Sequence, residues 1–220
     1  TAAGAGGPEF VYDDPERRQA LLTRTREVMQ LAADLEIPVC ISHIGIIPED
    51  ESDPVRAHMV AAVSAAAQIA ADHGVIMAIE TGPESPFVLR SFIDQVNSPA
   101  LKVNYDPANF VIWPALLAKR SGKKYCEREA LEAFIPTEGV NVLGPYIVHV
   151  HAKDALVEPS GEARETPLGE GWVRWNRFFD LLDRYGFDGY IAIERERSGD
   201  KLAQIQQAAD YLRSLELHRK

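Results

Sequence analysis

Cysteine is scarce in this chain: Cys40 and Cys126 are the only two in 220 residues, so no disulfide framework organises it. Cys40 lies in an apolar run and reads as a small buried hydrophobe. A reducing, cytoplasmic setting is expected. Basic charge is also in short supply. Lys and Arg number 23 against 33 Asp and Glu, a formal net charge of −10. That balance disfavours nucleic-acid binding, which needs a basic face to neutralise phosphates. No apolar run reaches the roughly 18–20 residues that cross a bilayer, so no membrane partner is expected. No charged, then apolar, then small-residue leader stands at the start. No glycine-rich turn of the dinucleotide-binding type follows any predicted strand.

What is present is 46% hydrophobic and 25% charged residues, enough for a core and short enough for a single domain over residues 1–220. Residues 1–7 are small and read as a loop. Apolar strand-like runs then alternate with amphipathic helical stretches. Asp14-Pro15, Asp53-Pro54 and Ser85-Pro86 each combine an N-cap side chain with proline at the first helical position. Leu21, Leu22, Val28, Met29, Leu31, Ala32 and Leu35 carry the first helical period. Strands are predicted over 38–42, 75–79, 101–105, 146–150 and 190–193, with a weaker one between Ala163 and Leu168. Helices are predicted from Trp172 to Tyr185 and from Gly199-Asp200 onward, the last with Leu202, Ile205, Ala208, Ala209, Leu212 and Leu215 on one face. Residues 113–145 have no strand of their own, and their Lys-Arg-Ser-Gly-Lys-Lys run is either a solvated turn or a phosphate contact. Strand and helix in alternation imply a parallel sheet with right-handed crossovers, either doubly wound or closed as a (β/α)8 barrel.

The polar residues are the informative ones. Four apolar strands end in Glu80, Asp106, His151 and Glu194. C-terminal ends of parallel strands share one face, where active sites are built. Three carboxylates and an imidazole suit a hard divalent ion, Mn2+ first, with Mg2+ or Co2+ as alternatives, better than a structural zinc. In Val148-His149-Val150-His151-Ala152-Lys153-Asp154, alternation puts His149 and His151 on one side of a strand, His151 nearer the mouth. Lys153 either binds a substrate group or pairs with Asp154 or Glu170. His43 contacts substrate, a second metal or a neighbouring carboxylate. Glu84 orients substrate or caps a helix. Glu196 and Arg197 read as surface charges.

The segments Ile79-Glu80-Thr81-Gly82-Pro83-Glu84, Asn104-Tyr105-Asp106-Pro107-Ala108-Asn109, His149 to Asp154, Pro167-Leu168-Gly169-Glu170-Gly171 with Trp175, and Gly186 to Glu196 together resemble the sugar phosphate isomerase/epimerase family, the xylose isomerase-like TIM barrels. The resemblance implies an α/β, (β/α)8 TIM barrel whose first two strands are not represented in this chain. It implies one divalent metal held by Glu80, Asp106, His151 and Glu194. Glu80 and Glu194 would be the catalytic acid–base pair, with His43, Glu84, Asn109 and Lys153 facing a carbohydrate substrate. The implied reaction is isomerisation or epimerisation of a sugar or sugar phosphate, by proton abstraction alpha to a metal-bound carbonyl through an enediolate. An inosose-type dehydratase on the same residues is the close alternative. An endonuclease IV-like phosphodiesterase and a non-catalytic binding protein are more distant ones. Two positions differ from the ketose 3-epimerases of the family: Asn109 stands where they commonly have His, and Val157 where they have Arg. An incomplete barrel would leave strand edges unpaired, which makes a homo-oligomer the expected state.

Overall fold

The computed structural model describes residues 8–11, 14–196 and 199–217. The small-residue opening 1–7 and Arg197 lie outside them. The chain divides into two compact units, residues 1–104 with 146–149, and residues 105–145 with 150–220.

In the first unit the predicted alternation is present. Helix α1 (Pro15–Asp34) begins where expected, because the Asp14 carboxylate accepts the N–H groups of Glu16 and Arg17. Strand β1 (Val39–Ser42) leads to α2 (Pro54–Asp72), capped by Asp53, then to β2 (Ile76–Glu80) and to α3 (Pro86–Val96), capped by Ser85. Strand β3 (Leu101–Tyr105) follows, its last residue opening the second unit. β1, β2 and β3 pair in parallel, with Ser42 opposite Ile79 and Glu80 opposite Asn104. Gly74, at φ 67°, takes the left-handed turn after α2 and lets the Val75 N–H reach back to Ala70 O at 3.0 Å. The alanine-rich α2 buries Met59, Val63, Ala66, Ala67 and Ala70 and packs on α1, α3 and β2. In α1 the buried stripe is Leu21, Thr25, Met29 and Ala32. Leu31 and Leu35, expected in that stripe, are 56% and 60% exposed, because they fall off the face that the other four define.

The second unit takes the end of strand β4 (Ile147–Ala152), whose first residues belong to the first unit. β7 (Tyr190–Ile193) leads into Glu194, whose N–H donates to Ala152 O at 3.2 Å. The stretch after Ala163 is not a further strand of the parallel sheet. It is β6 (Ala163–Thr166), which pairs antiparallel with β5 (Asp154–Val157), Asp154 opposite Thr166 and Val157 opposite Ala163. Residues 158–162 are too few for the dozen or so that a parallel crossover needs, so the chain turns back as a hairpin. Between β3 and β4 lie α4 (Asn109–Arg120), α5 (Glu127–Phe134) and the single turn α6 (Val140–Leu143). The basic run after Ala118 is the exposed end of α4 and its turn, a solvated feature where the helix dipole favours cations. Ala108, Val111 and Ala115 of this region pack on Ala155 and Val157 of the hairpin, so Val157 is a core residue.

Aromatic packing fixes α7 (Trp175–Arg184). Tyr105 meets Phe110 and Phe178 with ring centroids 5.4 Å apart, and Trp175 meets Phe178 at 5.5 Å. The Tyr105 hydroxyl donates to Pro136 O at 2.8 Å. α7 starts at Trp175 and not at Trp172, because the backbone N–H groups just before it are turned toward Asp154 and Ala155. Helix α8 (Lys201–Leu217) buries two of the six residues of its expected stripe, Ala208 and Leu215, while Leu202 is 79% and Ile205 43% exposed.

Candidate metal centre and acid–base residues

In the second unit, two of the expected ligands, Asp106 and Glu194, meet one ammonium, and a third, His151, lies against Glu194. Asp106 follows β3 directly. Its Oδ1 accepts the N–H groups of Ala108 at 2.9 Å and Asn109 at 3.3 Å, so the carboxylate caps the start of α4 and cannot rotate. That leaves Oδ2 facing Lys153 Nζ at 3.1 Å. His151 Nδ1 lies 3.2 Å from Glu194 Oε2. Lys153 Nζ donates to the same Glu194 oxygen at 2.9 Å and lies 3.4 Å from Glu196. One ligand atom each of Asp106, His151 and Glu194 lies within 4.8 Å of the others. His151 lies in β4 and Lys153 is the first residue after it, and both side chains reach the same Glu194 oxygen.

Burial and charge set the protonation of this group. The Lys153 side chain is 3% exposed and that of Asp106 is fully buried. Burial pushes the ammonium down, but the carboxylates of Asp106 and Glu194 outweigh it and raise Lys153 above an ordinary lysine. Burial likewise pushes Glu194 up, and the hydrogen bond from His151 with the Lys153 charge reverses that, holding it well below the usual carboxylate range. Lys153 therefore pairs with Asp106, Glu194 and Glu196, not with Asp154 or Glu170. Glu196, expected as a plain surface charge, has an exposed side chain that still reaches this ammonium.

Asp154 has a different task. Its carboxylate accepts the backbone N–H groups of Ala155, Gly169, Gly171 and Val173, and the Trp175 indole N–H at 3.0 Å. Burial raises the pKa of this carboxyl above the ordinary value, although the hydrogen bonds from Trp175, Val173, Gly169 and Ala155 pull against it. A Cβ at Gly171 would collide with Asp154 Oδ1 and Ala155 O, so glycine at 171 is a steric requirement of this cradle. The sequence singles out both Asp154 and Gly169-Glu170-Gly171, but pattern alone does not reveal that one binds the other.

The first unit holds the remaining candidates. Glu80 ends β2, buried, with His43 Nε2 at 3.4 Å from its Oε2. His43, on the loop after β1, is 65% exposed. Its neighbour in this arrangement is thus a carboxylate. Glu84 is buried, its carboxylate taking the backbone N–H of Ile47 as well as its own, and desolvation pushes its pKa up to about 8. Its Oε2 is buried without a hydrogen-bond partner among the described residues. His149 is a core histidine, its Nδ1 2.8 Å from Asn104 Oδ1. Asn109 belongs to the second unit, buried at the first residue of α4 beside Asp106.

The donor set fits a divalent ion. Two carboxylates already flank a cationic group, with an imidazole against one of them, and oxygen-rich sets with one nitrogen suit hard cations. No helix of the described residues is long and apolar enough to cross a membrane.

Residues 2–215 match the family model described as the xylose isomerase-like TIM barrel. No curated protein matches the chain. Among solved structures, a xylose isomerase domain protein from Planctomyces limnophilus is similar at 29% identity and TM-score 0.74, over 91% of this chain and 66% of that one. A xylose isomerase-like TIM barrel protein from Mycobacterium smegmatis, in complex with magnesium, is similar at 17% identity and TM-score 0.70, over 97% and 72%. A D-psicose 3-epimerase from Clostridium cellulolyticum H10, with D-tagatose, is similar at 16% identity and TM-score 0.69, over 98% and 77%. The chain thus spans just under two thirds of the first of these, and the two more distant likenesses concern the fold alone. With α/β alternation, a parallel sheet and a match over nearly all of its residues, the chain belongs to the xylose isomerase-like TIM barrel family.

Proposed function

We propose that this chain is a divalent-metal-dependent isomerase or epimerase of a sugar or sugar phosphate. The observation that carries the reading is the convergence of Asp106, His151 and Glu194 on one cation-attracting point. Glu80 is proposed as the fourth ligand. Strand register supports it: Glu80 stands opposite Asn104, and Asn104 bonds His149. Asp106 and His151 each follow two residues later along the chain.

When bound, the divalent ion supplies stabilisation of negative charge on a carbonyl oxygen. The protein's own residues do the rest. Glu194, held ionised by His151 and Lys153, is in the form that accepts a proton from the carbon beside a carbonyl. Glu80 returns a proton to the same carbon. Lys153 fixes the Glu194 oxygen it donates to. Asp154 keeps the 169–173 backbone closed beside these groups.

The test is a Mn2+ titration of the purified chain, with Asp106→Ala as control, followed by a panel of ketoses. One ion per chain, lost in Asp106→Ala, is expected, with epimerised or isomerised product that falls at least about 100-fold in kcat in Glu80→Gln and in Glu194→Gln. Binding that survives Asp106→Ala would sink the proposed site. Activity untouched in both glutamine variants would sink the acid–base roles. Loss of water from a keto-polyol, in place of epimerisation, would assign the dehydratase reaction instead.

A further inference from the structure

We propose that Glu165 and Arg195 form a buried positioning pair that sets the Glu194 carboxylate in place, a role that rests on Glu194 being a ligand and base as proposed above. They act through the chain that follows Glu194. Arg195 Nη1 lies 2.6 Å from Glu165 Oε1, with side chains 5% and 6% exposed. The other Glu165 oxygen accepts the N–H of Glu196 at 3.1 Å. Glu165 therefore grips the chain through the side chain of one residue after Glu194 and through the main chain of the next. Arg195 is tied down further, donating to Thr166 O through Nη1 and to the Gln204 side-chain oxygen through Nε and Nη2 at 3.3 Å.

The need for such a grip follows from where Glu194 sits. β7 ends at Ile193, and the main-chain bond from the Glu194 N–H to Ala152 O holds only its amino side. Residues 194–196 have no regular structure. Without an anchor beyond it, this carboxylate would swing with a free strand end. A ligand has to be held within about 0.5 Å of its working position for a site to function. The anchor comes from β6, the strand that pairs with β5, and β5 begins one residue after Lys153. The hairpin thus bears on both partners of the Lys153–Glu194 bond. Lys153 is joined to it by the chain, and Glu194 is joined through Glu165 and Arg195. A fork-shaped guanidinium suits this better than an ammonium, because it reaches a carboxylate, a carbonyl and an amide at once.

The experiment compares wild type, Glu165→Gln and Arg195→Lys as full chains. Two readouts are used: Mn2+ affinity by calorimetric titration, and amide hydrogen exchange of residues 194–196. Glu165→Gln is expected to weaken Mn2+ binding by about 10–100-fold, as loss of a group supporting a ligand does. It should also speed exchange of the 194–196 amides while the β2 and β3 amides stay protected. Arg195→Lys keeps the charge and should fall between wild type and Glu165→Gln. It also serves if Glu165→Gln does not fold. Unchanged exchange at 194–196 in a folded variant overturns the positioning pair, whatever the metal does. Faster exchange with unchanged Mn2+ affinity overturns its role in holding the ligand. If wild type binds no Mn2+ yet exchange still accelerates in the variants, the grip on Glu194 stands and the metal reading is what fails.

Discussion

Arg56 in the first unit and Lys153 in the second are both almost wholly buried cations, yet their surroundings differ in kind. Arg56 Nε donates to the Gln95 side chain at 2.9 Å, Nη1 to Pro48 O at 2.8 Å and Nη2 to Ser91 at 3.0 Å. Its one acidic neighbour, Glu51, lies at 3.8 Å and is 63% exposed. Neutral acceptors from α3 and from the loop before α2 satisfy its fork, so the residue staples that loop. Lys153 instead faces carboxylates, two of them within 3.1 Å. Two buried or half-buried negative charges at one point are expensive unless a cation is present. The contrast separates a cation that serves the fold from negative charge gathered to hold a cation.

Removing each cation breaks the comparison most directly. Lys153→Met is expected to lower unfolding free energy by about 3–5 kcal/mol in metal-free buffer, since Asp106 and Glu194 lose their shared partner. Added Mn2+ should restore part of that loss, read by urea denaturation with and without the ion. Arg56→Met should cost about 2–3 kcal/mol through three lost hydrogen bonds, with no recovery in Mn2+ and unchanged Mn2+ affinity. Recovery in both variants, or in neither, would erase the distinction.

A buried carboxyl without a cation sharpens it. Glu84 has its pKa raised by desolvation from 4.5 to about 8. Below pH 4.5 it is protonated in folded and unfolded chains alike and costs nothing. Above that, the unfolded chain releases the proton and the folded chain keeps it, so stability falls as pH rises, by up to ~1.4 kcal/mol per pH unit until about pH 8. Glu84→Gln should flatten this slope in urea midpoints measured from pH 5 to 8. Glu194 runs the other way. Its lowered pKa gives stability that is full above the ordinary carboxylate range and is lost as pH falls below it.

The smallest effect is expected on the surface of the first unit. The Tyr146 hydroxyl donates to Asp94 at 2.7 Å in an exposed cluster, with the Arg90 guanidinium 4.9 Å from its ring. Tyr146→Phe should shift stability by only about 0.5–1 kcal/mol and leave Mn2+ binding alone, because exposed polar contacts compete with water. A loss as large as that of Arg56→Met would show that burial is not what separates the two cases.

By itself the sequence determined most of the element order and which polar residues stand at the strand ends. Caps such as Asp14, Asp53 and Ser85 act on N–H groups within a few residues, and strand alternation is written in neighbouring positions, so both are legible locally. The ends of β2, β3, β4 and β7 were legible for the same reason: an apolar run that stops at Glu80, Asp106, His151 or Glu194 is visible without any contact. Tertiary structure decided what those residues meet. The antiparallel turn of β6 onto β5 depends on pairing between Asp154 and Thr166, which periodicity does not encode. The choice of Asp106 and Glu194 over Asp154 as partners of Lys153 depends on distances across about 40 residues of chain. Asp154 was committed elsewhere, to backbone N–H groups whose positions exist only once the 169–173 loop has folded. Arg195, next to Glu194 in the chain, carried no local sign of its role, because its partner Glu165 is brought to it by the hairpin. Coulomb and hydrogen-bond energies depend on separation in space, and only the fold fixes that.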